Sequence, residues 1–144
     1  MENRVILNVA GAALIVLFVY TAGSKLYELD RFRAELGRQV FPQLFLPALL
    51  IGIPLSELLV VALLAFPSTR RYGFLLSTVL MAVFTLYILG ALLHLYSNIP
   101  CSCGGVLRKM GWKQHFVFNL VFFGLSLYGL ILTFKERRRG KSGQ

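Results

Sequence analysis

Cys101 and Cys103 are the only thiols in the chain, and one serine separates them. They lie in the run Ile99-Pro100-Cys101-Ser102-Cys103-Gly104-Gly105. Pro100 stops a helix from running through, and the paired glycines permit positive φ, so the run reads as a tight turn. Residues two apart in such a turn bring their α-carbons near the ~5.5–6 Å that a disulfide prefers. The ring closed is small, so little loop entropy is gained and strain is expected. Strained, exposed disulfides are the readily reduced ones. The expectation is reversible thiol–disulfide chemistry, with Cys101 and Cys103 as catalytic residues.

Other chemistry-bearing side chains fall close by. His94 precedes the turn, and Trp112, His115 and Asn119 follow it at i, i+3 and i+7, on one helical face. As a group they are candidate cofactor-binding residues. Singly, each has a structural role open to it: Trp112 as an interfacial anchor, Asn119 as a bond between helices, each histidine as a satisfied polar contact. A metal reading of the same residues takes Cys101, Cys103, His94 and His115 as four ligands. Two thiolates with two imidazoles suit zinc, and thiolates suit copper(I). The single residue between the cysteines, instead of two to four, counts against it.

A second pair of residues stands apart from the cysteines. Glu57 falls deep within an apolar run, in Pro54-Leu55-Ser56-Glu57-Leu58. A carboxylate there needs a partner facing the protein interior. Lys25, in Ala22-Gly23-Ser24-Lys25-Leu26, has a stem long enough to reach back along a bundle. The two form a candidate structural ion pair. Pro54, one turn before Glu57, is expected to kink its helix and free a carbonyl.

The elements that must hold these residues are apolar. The sequence is 57% hydrophobic and 15% charged, the wrong balance for a water-soluble core. Four runs, Val5 to Ala22, Leu44 to Phe66, Tyr72 to Tyr96 and Phe116 to Phe134, are near the ~20 residues that cross a bilayer as helix. None alternates like a barrel strand. The fold expected is all-α: a four-helix transmembrane bundle in a single domain, 1–144. Its helices fall at about 5–24, 44–66, 72–97 and 113–134, with a basic tail over 135–144. Val5 to Ala22 also has a signal peptide as an alternative reading, since Thr21-Ala22-Gly23 loosely resembles a cleavage site. Between the first two spans, Leu29, Phe32 and Leu36 share one face of a short amphipathic helix, expected on the outer membrane surface.

A net charge of +9 raises nucleic acid as a partner. The basic residues lie in loops and tails between apolar runs, with no aromatic-basic motif, so the bilayer is the partner and nucleic acid is not. Arg4, Arg70, Arg71, Lys135, Arg137, Arg138, Arg139 and Lys141 share one face of a four-span protein. Arg70-Arg71 and the C-terminal run abut helix ends, where the positive-inside rule acts most strongly. Both termini are therefore expected in the cytoplasm and the cysteine turn outside, in a disulfide-permissive compartment.

The order of these pieces resembles the MauE/DoxX family of small four-helix membrane proteins, its MauE branch in particular. The likeness rests on Ser24-Lys25-Leu26, Phe32, Pro47, Glu57, the cysteine-x-cysteine-glycine turn, and Trp112, His115 and Asn119. It implies a redox-associated protein of the bacterial inner membrane. Relatives of the MauE type are linked to maturation of methylamine dehydrogenase beside a thioredoxin-like partner, and the DoxX side to quinone-coupled thiosulfate oxidation. The resemblance thus implies a periplasmic thioredoxin-like partner and a membrane quinone as cofactor. The thiol–quinone oxidoreductases DsbB and vitamin K epoxide reductase look similar in plan but use Cys-x-x-Cys plus a second cysteine pair, and this chain has neither. Thiol or quinone oxidoreductase, metal-delivery protein and non-catalytic membrane anchor are the three classes left open. The oligomeric state is not legible.

Overall fold

The computed structural model describes residues 2–39, 42–95 and 109–142. Five α-helices and one 3-10 turn account for nearly all of them. They are α1 (Glu2–Tyr27), α2 (Leu29–Gly37), the turn Gln43–Phe45, α3 (Leu46–Ala65), α4 (Arg70–Leu92) and α5 (Trp112–Ser142). Cys101 and Cys103 lie outside the described residues.

Four helices are long and apolar enough to cross a membrane, at Glu2–Tyr27, Gln43–Ala65, Arg70–Leu92 and Trp112–Gly140. α1 packs on α3 and α5, and α4 packs on the same two, so the long helices close a four-membered ring. Leu7, Leu14, Phe18, Leu64, Phe74, Met81 and Leu132 fill its centre. Val9, Val16, Leu55, Val83, Leu86 and Val121 point outward and are exposed, as side chains facing lipid should be. The chain is a multi-pass membrane protein built as an all-α bundle.

Lipid is as apolar as leucine, so close packing rather than water exclusion must hold such helices together. Two glycines permit it. A Cβ on Gly129 of α5 would lie 2.3 Å from Cε1 of Phe74, and one on Gly73 of α4 would lie 2.8 Å from the backbone nitrogen of Leu64. Thr69 closes the short α3–α4 turn by donating from Oγ1 to the Leu63 carbonyl at 3.0 Å. Next to it, Arg70 donates to Asn8 Oδ1 at 2.7 Å, which ties the start of α4 to the first turns of α1. Pro47 enters α3 in its first turn, where its missing N–H costs nothing. Pro54 sits buried inside α3, where it withholds one backbone donor from the ladder.

Three features differ from the reading of the sequence. α4 stops at Leu92 instead of continuing to about residue 97. His94 takes φ 54, and the N–H groups of His94 and Leu95 bond the carbonyls of Ala91 and Gly90. That is a Schellman closure, with a histidine in the left-handed position usually held by glycine. α5 does not end near Phe134 but runs on through the basic segment. The amphipathic helix α2 is present, but it is tucked against α3 and α1. Phe32 and Leu36 are buried in the bundle, while Leu29 on the expected face is 44% exposed.

Candidate functional site

The polar residues of the spans converge on one chamber. Thr21 and Lys25 are one turn apart on α1, Glu57 comes from the middle of α3, and His115 and Asn119 are one turn apart at the start of α5. All five line a space of about 20 Å³, closed by Leu17, Phe18, Met81, Phe84 and Phe118. Each is nearly or wholly buried; His115 is 2% exposed and Glu57 0%. Lys25 Nζ donates to Glu57 Oε1 at 2.6 Å. Glu57 Oε2 is buried without a hydrogen-bond partner among the described residues. Asn119 Nδ2 donates to the His115 carbonyl at 3.1 Å, and Thr21 Oγ1 to the Phe18 carbonyl at 3.3 Å. The chamber is large enough to admit one water molecule, and its walls offer several donors and acceptors.

Lys25 also borders a second, larger cavity of about 210 Å³. Phe32, Leu36 and Gln39 roof it from the α2 side. Ile53 and Ser56 of α3, Phe84, Tyr87 and Ile88 of α4, and Trp112 of α5 form its walls. Lys25 Nζ lies 6.0 Å from the ring centre of Phe32 and 5.9 Å from that of Phe84, so a cation stands between two aromatic faces. Tyr87 donates its hydroxyl to Gln39, fastening the end of α2 to α4. Ser56 turns its hydroxyl away to the Ile53 carbonyl at 2.8 Å. Lys25 and Phe84 line both spaces: a polar chamber on one side, an aromatic cavity on the other.

The residues singled out in the sequence are thus distributed in three ways. His115 and Asn119 stand in the polar chamber with Lys25 and Glu57. Trp112 is half-buried and lines the aromatic cavity. His94 is exposed at the end of α4 and lines neither space. Among the described residues, no three of His, Cys, Asp and Glu cluster closely enough to hold a metal. The ligand set of Cys101, Cys103, His94 and His115 falls partly outside them. Thr21, Phe84, Tyr87, Gln39 and Ser56 were not singled out. Thr21 alone had a signal, since it lies four residues before Lys25 on the same helical face.

The chain is thus a small four-span helical membrane protein with a lysine–glutamate pair buried between α1 and α3, toward the end where α4 stops and α5 begins. The family model described as methylamine utilisation protein MauE matches residues 3–132, nearly the whole chain, and the protein belongs to the MauE family. No curated protein and no solved structure matches it.

Proposed function

We propose that this MauE-family protein is a thiol–disulfide redox protein of the bacterial inner membrane. Both termini are cytoplasmic in this reading, and Cys101 and Cys103 face the periplasm. A thioredoxin-like partner with two thiols reduces the Cys101–Cys103 disulfide. The partner's sulfurs become the disulfide, and Cys101 and Cys103 take up two electrons and two protons. Oxidation of the two thiols by a membrane quinone would return the same electrons and protons as quinol and restore the bridge.

One observation supports this reading above the alternatives. The buried polar chamber and the aromatic cavity lie at the bundle end from which the cysteine-bearing segment is strung. Tyr87 and Ile88, one turn before α4 ends, and Trp112, which begins α5, border the same cavity as Lys25. A purely anchoring subunit has no need of a buried ion pair, an imidazole and an amide gathered at that end. Breaking such a pair is costly, and it is not required for spanning.

The test is trapping. Cys103→Ser leaves Cys101 as a lone thiol, which attacks the disulfide of the oxidised partner, the product of the forward exchange, and runs that exchange backwards only as far as the mixed disulfide. The expected result is a reductant-sensitive mixed disulfide with a thioredoxin-like protein, absent from the Cys101→Ser/Cys103→Ser variant. Full alkylation of both thiols without reductant, in protein taken from oxidising cells, would overturn the reading.

A further inference from the structure

Disulfide exchange at Cys101 and Cys103 makes no use of the aromatic cavity roofed by α2. We propose that this cavity is a binding site for one acyl chain of a membrane phospholipid, drawn from the leaflet on the α2 side and entering between α3 and α4 past Val83. The site stands on the cavity alone and is independent of the thiol chemistry.

The walls show carbon to the space. Among the described residues that line it, Lys25 is the one with a charge, and its Nζ is held at 2.6 Å by Glu57, which lines the polar chamber and not this cavity. Ser56 donates to the Ile53 carbonyl and Tyr87 to Gln39, so these polar tips are also committed to protein acceptors. What remains is aliphatic and aromatic carbon from Leu36, Leu49, Leu80, Val83, Phe84 and Ile88. Such a space gives water too few partners and stays dry. Left empty, it would deprive its lining of contacts on one side, which destabilises a packed core. Hydrocarbon answers both conditions.

The mouth opens where hydrocarbon is. At the turn end α3 and α4 touch closely, with Gly73 against Leu64. Further along, Leu49 and Ile53 of α3 face Leu80 and Val83 of α4 across the cavity, and Val83 is 55% exposed. About 20 Å of helix separates Val83 from Arg70, where α4 begins, and about 14 Å separates it from Leu92, where α4 ends. The opening therefore lies inside the membrane span. From Leu80 to Ile88 the cavity runs along about 12 Å of α4, within the roughly 15 Å of hydrocarbon that one leaflet contributes.

Size sets how much of the lipid enters. An apolar cavity of about 150 Å³ accommodates benzene. At about 210 Å³ this one takes a stretch of a single chain, and the rest of the lipid stays in the leaflet. Phe32 and Leu36 then rest on lipid carbon as well as on protein, so the bilayer helps to seat α2.

Trp112 supplies the test, being the only tryptophan in the chain and part of the cavity wall. The full-length protein is placed in nanodiscs that mix ordinary phosphatidylcholine with phosphatidylcholine brominated on its acyl chains, and tryptophan emission is followed. Bromine quenches an indole on contact, so the signal reads whether a chain reaches the wall. A slot for one chain fills with brominated lipid in proportion to its mole fraction, and emission should fall along a straight line. Contact with many loosely arranged chains gives instead a curve that is steep at first and then flattens. Ser56→Phe fills the cavity from α3 and Val83→Phe narrows its mouth; both should lose most of the quenching. Leu86→Phe, on the exposed face of α4 and outside the cavity wall, should be quenched as the parent is. A curved dependence in the parent overturns the site, and this arm decides even where a filled variant does not fold. Quenching that is equal in the parent, Ser56→Phe and Val83→Phe overturns it as well.

Discussion

Lys25 Nζ and Glu57 Oε1 meet at 2.6 Å with side chains 4% and 1% exposed, joining α1 to α3 inside the span. Each charge is tolerable there only because of the other. Lys25→Met should cost about 3–5 kcal/mol by leaving a lone buried carboxylate. Lys25→Met/Glu57→Met should cost much less, since the mismatch is removed. Thermal or denaturant unfolding in detergent reads both, and strictly additive losses would mean that the two residues do not interact.

The bond from Arg70 to Asn8 places the α3–α4 turn at the same end as the start of α1. That end gathers Arg4, Arg70 and Arg71 as well as the basic end of α5. The positive-inside rule then predicts a cytoplasmic C-terminus. A reporter enzyme active only in the periplasm, fused after residue 144, should be silent. The same reporter inserted in the segment between α4 and α5 should be active.

Gly129 yields the space of its absent side chain to the ring of Phe74. Gly129→Ala should therefore push α5 from α4 and destabilise by about 1–3 kcal/mol. Phe74→Leu on the same chain should recover part of that loss, because a smaller side chain makes room for the new methyl. Melting temperatures of the two single changes and the double change decide it. Equal losses with and without Phe74→Leu would show that the contact is not the cause.

His94 closes α4 through its backbone, in a left-handed conformation that glycine adopts without strain. His94→Gly should keep or slightly raise stability while deleting the imidazole. His94→Val should lower stability, since a β-branched residue resists positive φ. A loss of bound zinc or copper in His94→Gly protein, measured by elemental analysis, would return His94 to a ligand set.

The spans were legible because a run of about twenty apolar residues has few other uses. Lys25 was legible as a partner for Glu57 because an ionisable side chain deep in such a run demands one, and the two lie in contact. The end of α4 was not legible, because nothing marks histidine, unlike glycine, as left-handed. The extension of α5 was hidden by its charges: Lys135-Glu136-Arg137-Arg138-Arg139 reads as a solvated tail whether or not it is helical. The cavity walls were hidden for the opposite reason. Phe84 and Tyr87 are aromatic residues in an aromatic-rich membrane helix, and which of them face inward follows only from how α2 folds back over α3. His115 and Asn119 were grouped with Trp112 by spacing; the bundle separates them between two adjoining spaces.

At 31 residues, α5 is about 46 Å long, against roughly 30 Å of hydrocarbon. It is a stiff rod that stands well clear of the bilayer, carrying His115 and Asn119 near one end and Arg137, Arg138 and Arg139 near the other. The excess over the hydrocarbon is roughly 16 Å, about ten residues of helix. In this protein one unbroken helix carries both the buried imidazole and amide beside Lys25 and the arginines outside the hydrocarbon.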